Sequence, residues 1–236
     1  MKKLSLCVIC ARKGSKGLKN KNILSISGYK LFEISIIQAQ KSKIFDKIVI
    51  SSDSETVLKY SSKMNVDFVI KRPKSLSNNT VSKIDVIKHA VLKSEKFFNQ
   101  KFDFICDLDV TSPLRTSLDI HKCFKLINKK HVSNVFTVIK SNKNPYFNVI
   151  ELKNDKVSLI KSSNKLFFTR QSSPKTFDMN ASIYFWKRGK LFINGNLFNK
   201  NTAIHIMEEF CIDIDNIYDF ELVNLIFNKN KRLYIS

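Results

Sequence analysis

Short apolar runs of strand length alternate with longer amphipathic stretches through the first half of this chain, and that alternation admits few folds. Residues 4–10 form an apolar run that stops at a basic loop containing glycine, and residues 31–40 then carry helical periodicity. Residues 48–51 fit the next strand, 53–64 a helix and 66–70 a third short strand. Ser82, three residues before Asp85, signals a helix start ahead of Ile84, Ile87 and Val91 on one face. Residues 102–108 follow as a central strand, and Thr116 with Asp119 caps a helix that carries Ile120, Phe124 and Ile127. Strands joined through helices pair in parallel and are buried on both faces, so the expected class is α/β, a mostly parallel sheet flanked by helices.

The regularity fades over residues 132–179 into shorter strand-like pieces around Asn144, Pro145 and the segment 172–175. The expectation is one domain over residues 1–236 with 132–179 as an inserted lobe. The core resumes at 181–186, a last short strand is expected at 210–214, and an amphipathic helix at 217–227. A hydrophobic fraction of 43% is enough for one substantial core. No run of about 20 apolar residues occurs, and MKKLSLCVICARKGSKG loses its apolar character after Cys10, so a cytoplasmic protein without membrane insertion is expected. Cys7, Cys10, Cys106, Cys123 and Cys211 sit mostly in apolar surroundings and are expected as buried thiols rather than zinc ligands or redox pairs.

The formal charge of +21 comes mostly from lysine, spread from Lys2 to Lys231 with no arginine-rich stripe or RNA-binding aromatic motif. That distribution argues against specific nucleic-acid binding while still favouring small anionic ligands. Their expected place is ARKGSKGLKNKN, residues 11–22, immediately after the first strand. Gly14 and Gly17 permit tight turns beside an anion, and Arg12, Lys13, Lys16, Lys19 and Lys21 supply charge. The three-residue glycine spacing matches neither the dinucleotide fingerprint nor the P-loop. A basic stretch of this kind is often only a charged surface loop, but loops beyond the carboxyl ends of parallel strands are where open α/β sheets bind ligands. Two acidic pairs complete the pattern: Asp107 with Asp109 in DLDVTSPLR, and Asp213 with Asp215 in FCIDIDN. Alternation turns both members of a pair to one side, where carboxylates at strand ends can hold Mg2+ against triphosphate oxygens; helix capping or salt bridging would also account for either pair alone.

Taken in order, ARKGSKGLKNKN, RPKSLS, TSPLR, RQSSPKTFDMNASIYFWKR and DIDNIYDFEL resemble the CMP-N-acylneuraminate synthetases, also called N-acylneuraminate cytidylyltransferases, along nearly the whole chain. The resemblance implies a Rossmann-like nucleotidyltransferase fold with a dimerisation lobe at 132–179. It implies transfer of CMP from CTP to the anomeric 2-hydroxyl of a nine-carbon acidic sugar, releasing pyrophosphate, with Mg2+ as cofactor. By motif, Ala11, Arg12, Ser15, Lys16, Lys21 and Asn22 are expected around CTP, Arg72 and Ser82 near the nucleoside, and Asp213 and Asp215 on the metal. Arg12 and Lys21 are expected to act in catalysis. Arg170 is expected to reach the sugar across a homodimer interface, with Asn180 also on the substrate side.

Asp109 stands where the sialic-acid pattern commonly has glutamine, and Asn180, Ala181 and Ser182 depart from N-G-A; Asn79 replaces a frequent aspartate. DLDVTSPLR with DMNASIYFW looks more like the branch acting on legionaminic-acid-type sugars, with sialic and pseudaminic acids as the alternatives. Asp109 is open between sugar contact, metal ligand and catalytic proton acceptor. His89, His121, His131 and His205 are expected in structural or surface roles. A non-catalytic nucleotide-binding protein is the alternative from another class.

Overall fold

The computed structural model describes every residue except 1, 15–17, 19–20, 79, 163–166, 168, 170, 194, 209 and 236. The expected strand-helix alternation is present. Strand β1 (Ser5–Ala11) leads through a small hairpin, β2 (Ser25–Ile26) and β3 (Tyr29–Lys30), into helix α1 (Leu31–Ser42). Then come β4 (Lys47–Ser52), α2 (Glu55–Ser61), β5 (Phe68–Lys71), α3 (Lys83–Phe98), β6 (Phe104–Leu108) and α4 (Ser117–Ile127). The second half supplies β7 (Asn134–Lys140), the hairpin β8 (Ile150–Lys153) and β9 (Lys156–Leu159), and the long β10 (Phe177–Lys187). It closes with α5 (Arg188–Ile193), β11 (Thr202–Ile206), α6 (Ile217–Lys229) and α7 (Lys231–Ile235).

The main sheet runs β11-β7-β10-β6-β1-β4-β5. Every neighbouring pair is parallel except the two made by β10, which runs antiparallel to β6 and β7. β7 is thus part of the main sheet, and the separate hairpin β8–β9 lies between Lys140 and Phe177.

Period-two alternation divides the apolar side chains of each strand between two cores. On β1, Cys7, Ile9 and Ala11 join the core beneath α1, α4, α6 and α7, whereas Leu6 and Val8 join the one beneath α3 and α5. β6 repeats the division: Phe104, Cys106 and Leu108 face α1 and α4, and Ile105 faces α3. Asp107, two residues beyond Ile105, therefore points toward α3. The caps read from the sequence are formed: Ser82 Oγ accepts from Ile84 N, and Thr116 and Asp119 make a reciprocal capping box.

The strand expected at 210–214 is absent. Cys211 and Ile214 are buried as that pattern demands, but the segment makes one backbone hydrogen bond to the sheet region, Ile214 N to Thr111 O at 2.9 Å, rather than a ladder. The four thiols Cys7, Cys106, Cys123 and Cys211 are buried, Cys10 is half-buried, and all are unpaired.

Candidate active site

Beyond the carboxyl ends of β1, β4 and β6 lies a cavity of about 370 Å3. Its wall includes Arg12, Lys21, Asn22, Arg72, Lys83 and Asp109. Each is held by backbone geometry that the sheet dictates. Ala11 ends β1 with its carbonyl accepting from Ser52 Oγ at 2.5 Å, and Asn22 Nδ2 donates to Arg12 O at 2.9 Å, tying the basic loop back onto its own start. Arg72 is buried just after β5, where its guanidinium donates to Ser51 O at 2.7 Å and Ser51 Oγ at 3.2 Å. That leaves part of a rigid donor fork beside the cavity.

The acidic side of the cavity is fixed by Arg115, the arginine of TSPLR, which is fully buried. It donates to Asp109 O, Ser182 O and Ser35 Oγ, each at 2.6 Å, and to Gln38 Oε1 at 2.8 Å. Its role is to clamp the end of β6 in place. Asp109 Oδ1 then accepts from Thr111 N and Thr111 Oγ1, both at 2.9 Å, and Asp109 Oδ2 pairs with Lys83. Burial alone would raise this carboxyl, but the Lys83 ammonium and the Thr111 donors outweigh it and hold it down at about 2.

Lys83 was not among the expected site residues, and it is the cation at the centre of the acidic wall. Its Nζ lies 2.7 Å from Oδ2 of the fully buried Asp107, contacts Asp109 Oδ2, and sits 5.3 Å from the Tyr184 ring centroid. Burial disfavours the charged ammonium, but Asp107 and Asp109 more than compensate and raise Lys83 well above its ordinary value. The signal available in the sequence was its place directly after the Ser82 cap, the first helical position, where the helix dipole disfavours a cation unless something else holds it.

The second acidic pair approaches from the far end of the chain. Lys21 Nζ lies 3.1 Å from Asp215 Oδ1, joining the basic loop to the segment before α6. Asp213 is pushed up to about 6, chiefly by burial and then by the nearby Asp109 charge, and its Oδ1 is buried without a hydrogen-bond partner. Capping does not explain Asp215: the cap of α6 is Asn216, which accepts from Tyr218 N and Asp219 N while Asp219 reaches back.

The remaining expected residues divide into three groups. Ser82 is exposed and caps α3 outside the cavity wall. Asn180 is buried away from the cavity, with Thr137 Oγ1 donating to its Oδ1 at 2.7 Å and its Nδ2 3.0 Å from Met207 Sδ. Ser15, Lys16, Arg170 and Asn79 lie outside the described residues.

Residues 6–235 match the family model described as cytidylyltransferase. The chain is 47% identical to post-translational flagellin modification protein B of Campylobacter coli, over 95% of this chain and 96% of the relative. It is 44% identical to CMP-N,N'-diacetyllegionaminic acid synthase of Campylobacter jejuni, over 94% of each chain. Among solved structures, CMP:2-keto-3-deoxy-manno-octonic acid synthetase complexed with CTP superposes with a TM-score of 0.70 over 96% of this chain and 99% of that one, at 14% identity. That likeness concerns the fold.

Proposed function

We propose that this chain, which belongs to the cytidylyltransferase family, transfers CMP from CTP to the anomeric 2-hydroxyl of N,N'-diacetyllegionaminic acid, releasing pyrophosphate. The observation that carries the reaction class is the convergence of Arg12, Lys21 and Arg72 with the Asp109 carboxylate around one cavity at the carboxyl end of a parallel sheet, with Asp215 paired to Lys21. The choice of sugar is supported by the near full-length similarity to the Campylobacter jejuni synthase.

Catalysis on this reading is positioning and charge stabilisation. Arg12 and Lys21 take the phosphate oxygens, with Ser15 and Lys16 extending the same loop, and Asn22 and Arg72 border the nucleoside side. The sugar 2-hydroxyl oxygen bonds to the α-phosphorus as the bond to the bridging oxygen breaks; the hydroxyl proton is released and pyrophosphate departs with the electron pair.

The acidic residues fit a hard divalent cation such as Mg2+. Asp213 presents a buried oxygen without a partner beside a second carboxylate, and Asp215 is adjacent in sequence alternation. Among the described residues no three His, Cys, Asp or Glu side chains cluster as a metal cage, but Mg2+ is commonly held by one or two carboxylates with substrate phosphates and water completing its shell. When bound, the cation supplies charge that offsets the triphosphate oxygens.

A homodimer with a shared site is part of the same proposal. β8 and β9 pair Ile150 with Leu159 and Leu152 with Val157, which puts four exposed apolar side chains on one face of the hairpin. Arg170 would act across that interface. Among the described residues no helix is long and apolar enough to cross a membrane, and dependence on CTP is consistent with work in the cytoplasm.

The test is pyrophosphate release from CTP with each of three sugars, N,N'-diacetyllegionaminic, N-acetylneuraminic and pseudaminic acid, with Mg2+ or EDTA, and product identification by mass. The expected result is CMP-N,N'-diacetyllegionaminate at the highest kcat/KM and no turnover in EDTA. Preference for another sugar overturns the substrate, and CTP binding without turnover on any of them overturns the reaction.

A further inference from the structure

Asp107 in β6 and Asp109 just beyond its end alternate onto the α3 side and aim their carboxylates at a common point. Two carboxylates converging at the mouth of a phosphate-binding cavity are ordinarily a metal site. Here the common point is taken by a side chain. Lys83 Nζ contacts one oxygen of each carboxyl group and lies 5.3 Å from the centroid of the Tyr184 ring, so its surroundings are two carboxyl groups and an aromatic face. Only 38% of the Lys83 side chain is exposed, and Asp107 is fully buried with neither oxygen in a hydrogen bond of good geometry, Lys83 being its ion-pair contact at Oδ2. A fully buried carboxylate needs a counter-charge, and Lys83 is the ammonium beside it.

We infer that Lys83 is a positioning residue whose ammonium occupies the place of a divalent cation between Asp107 and Asp109, closing that pair to metal and leaving metal binding to Asp213 and Asp215. The consequence for the reaction is a fixed positive charge in the cavity wall that needs no recruitment from solution. It also keeps the Asp109 carboxylate turned toward Lys83 and Thr111. The inference deepens the metal-nucleotide reading of the cavity and rests on it.

Counting Mn2+ on nucleotide-free protein by equilibrium dialysis with electron paramagnetic resonance tests it without turnover, so this inference and the proposed reaction can fail separately. Lys83→Met removes the ammonium at similar length and is expected to bind one more Mn2+ per chain than the wild type. Adding Asp109→Asn to Lys83→Met is expected to abolish the extra ion, and Lys83→Arg, which keeps a cation, to restore the wild-type count. A purely structural lysine would alter melting but not the count. A folded Lys83→Met chain, judged by circular dichroism, with the wild-type count overturns the inference. Should that variant fail to fold, the wild-type background decides: Asp109→Asn alone leaves the Mn2+ count unchanged if Lys83 excludes metal, and lowers it if metal reaches Asp109 in spite of Lys83.

Discussion

Lys21 and Asp119 illustrate two different uses of charge. Lys21 is largely covered, but its partner Asp215 is 74% exposed, so their ion pair is screened and worth at most ~1 kcal/mol. Lys21→Ala is therefore expected to leave the melting temperature nearly unchanged, while loss of phosphate-directed charge lowers kcat by ~10²–10³-fold at saturating CTP. Steady-state kinetics beside a thermal melt checks both halves; an unchanged kcat removes Lys21 from catalysis. Asp119 works inside the fold. Burial would raise its carboxyl, but contact with His205 Nε2 at 2.9 Å and the Thr116 donors bring it below its ordinary value. A carboxylate lowered in the folded state contributes stability above the unfolded value near pH ~4, and loses it as pH falls through the folded value. Asp119→Asn should cost about 1–3 kcal/mol at pH 7, with the difference shrinking in melts carried progressively below pH ~4. A constant difference across that range would contradict the linkage.

At the level of elements, α3 separates two readings of one residue. Ser82 Oγ accepts from Ile84 N at 3.2 Å, and the side chain lies outside the cavity wall. Ser82→Ala is expected to cost ~1 kcal/mol through the lost cap, read as a lower melting temperature with KM for CTP unchanged. A raised KM at constant stability would restore Ser82 to the nucleoside site. Local signals of this kind were legible in the sequence because they act within one turn: the Ser82 cap, the Thr116–Asp119 box and the strand ends carrying Asp107 and Asp109. What escaped was decided by contacts between elements. Residues 210–214 alternate like a strand, but Ile214 packs into a core and only its N–H reaches Thr111, so burial imposed the pattern without a ladder. Lys83 is adjacent in sequence to the cap, yet its importance depends on β6 being the sheet neighbour beneath α3, which nothing within α3 specifies. Asn180 likewise has a polar side chain whose partners, Thr137 and Met207, come from separate segments.

For the whole molecule, the hairpin β8–β9 is exposed along both of its strands. Leu152 is 71% and Val157 65% exposed, paired across the hairpin on the same face. An apolar face of that kind is stabilised by a partner, and a second copy supplies an identical face. Leu152→Lys is expected to convert a dimer to a monomer in sedimentation velocity and to lower activity if Arg170 acts across the interface. A wild-type monomer, or a dimer that survives the substitution, would place assembly elsewhere. The Lys21–Asp215 contact has a further consequence, one of timing. It joins residues 194 positions apart, with Asp213 arriving beside Asp215. At ribosomal rates the basic loop emerges roughly ten to forty seconds before its acidic counterpart. A nascent chain can thus display the lysines of the basic loop throughout synthesis yet lack the carboxylates opposite them, and on the proposed reading competence to turn over CTP arises only as the last helices are made.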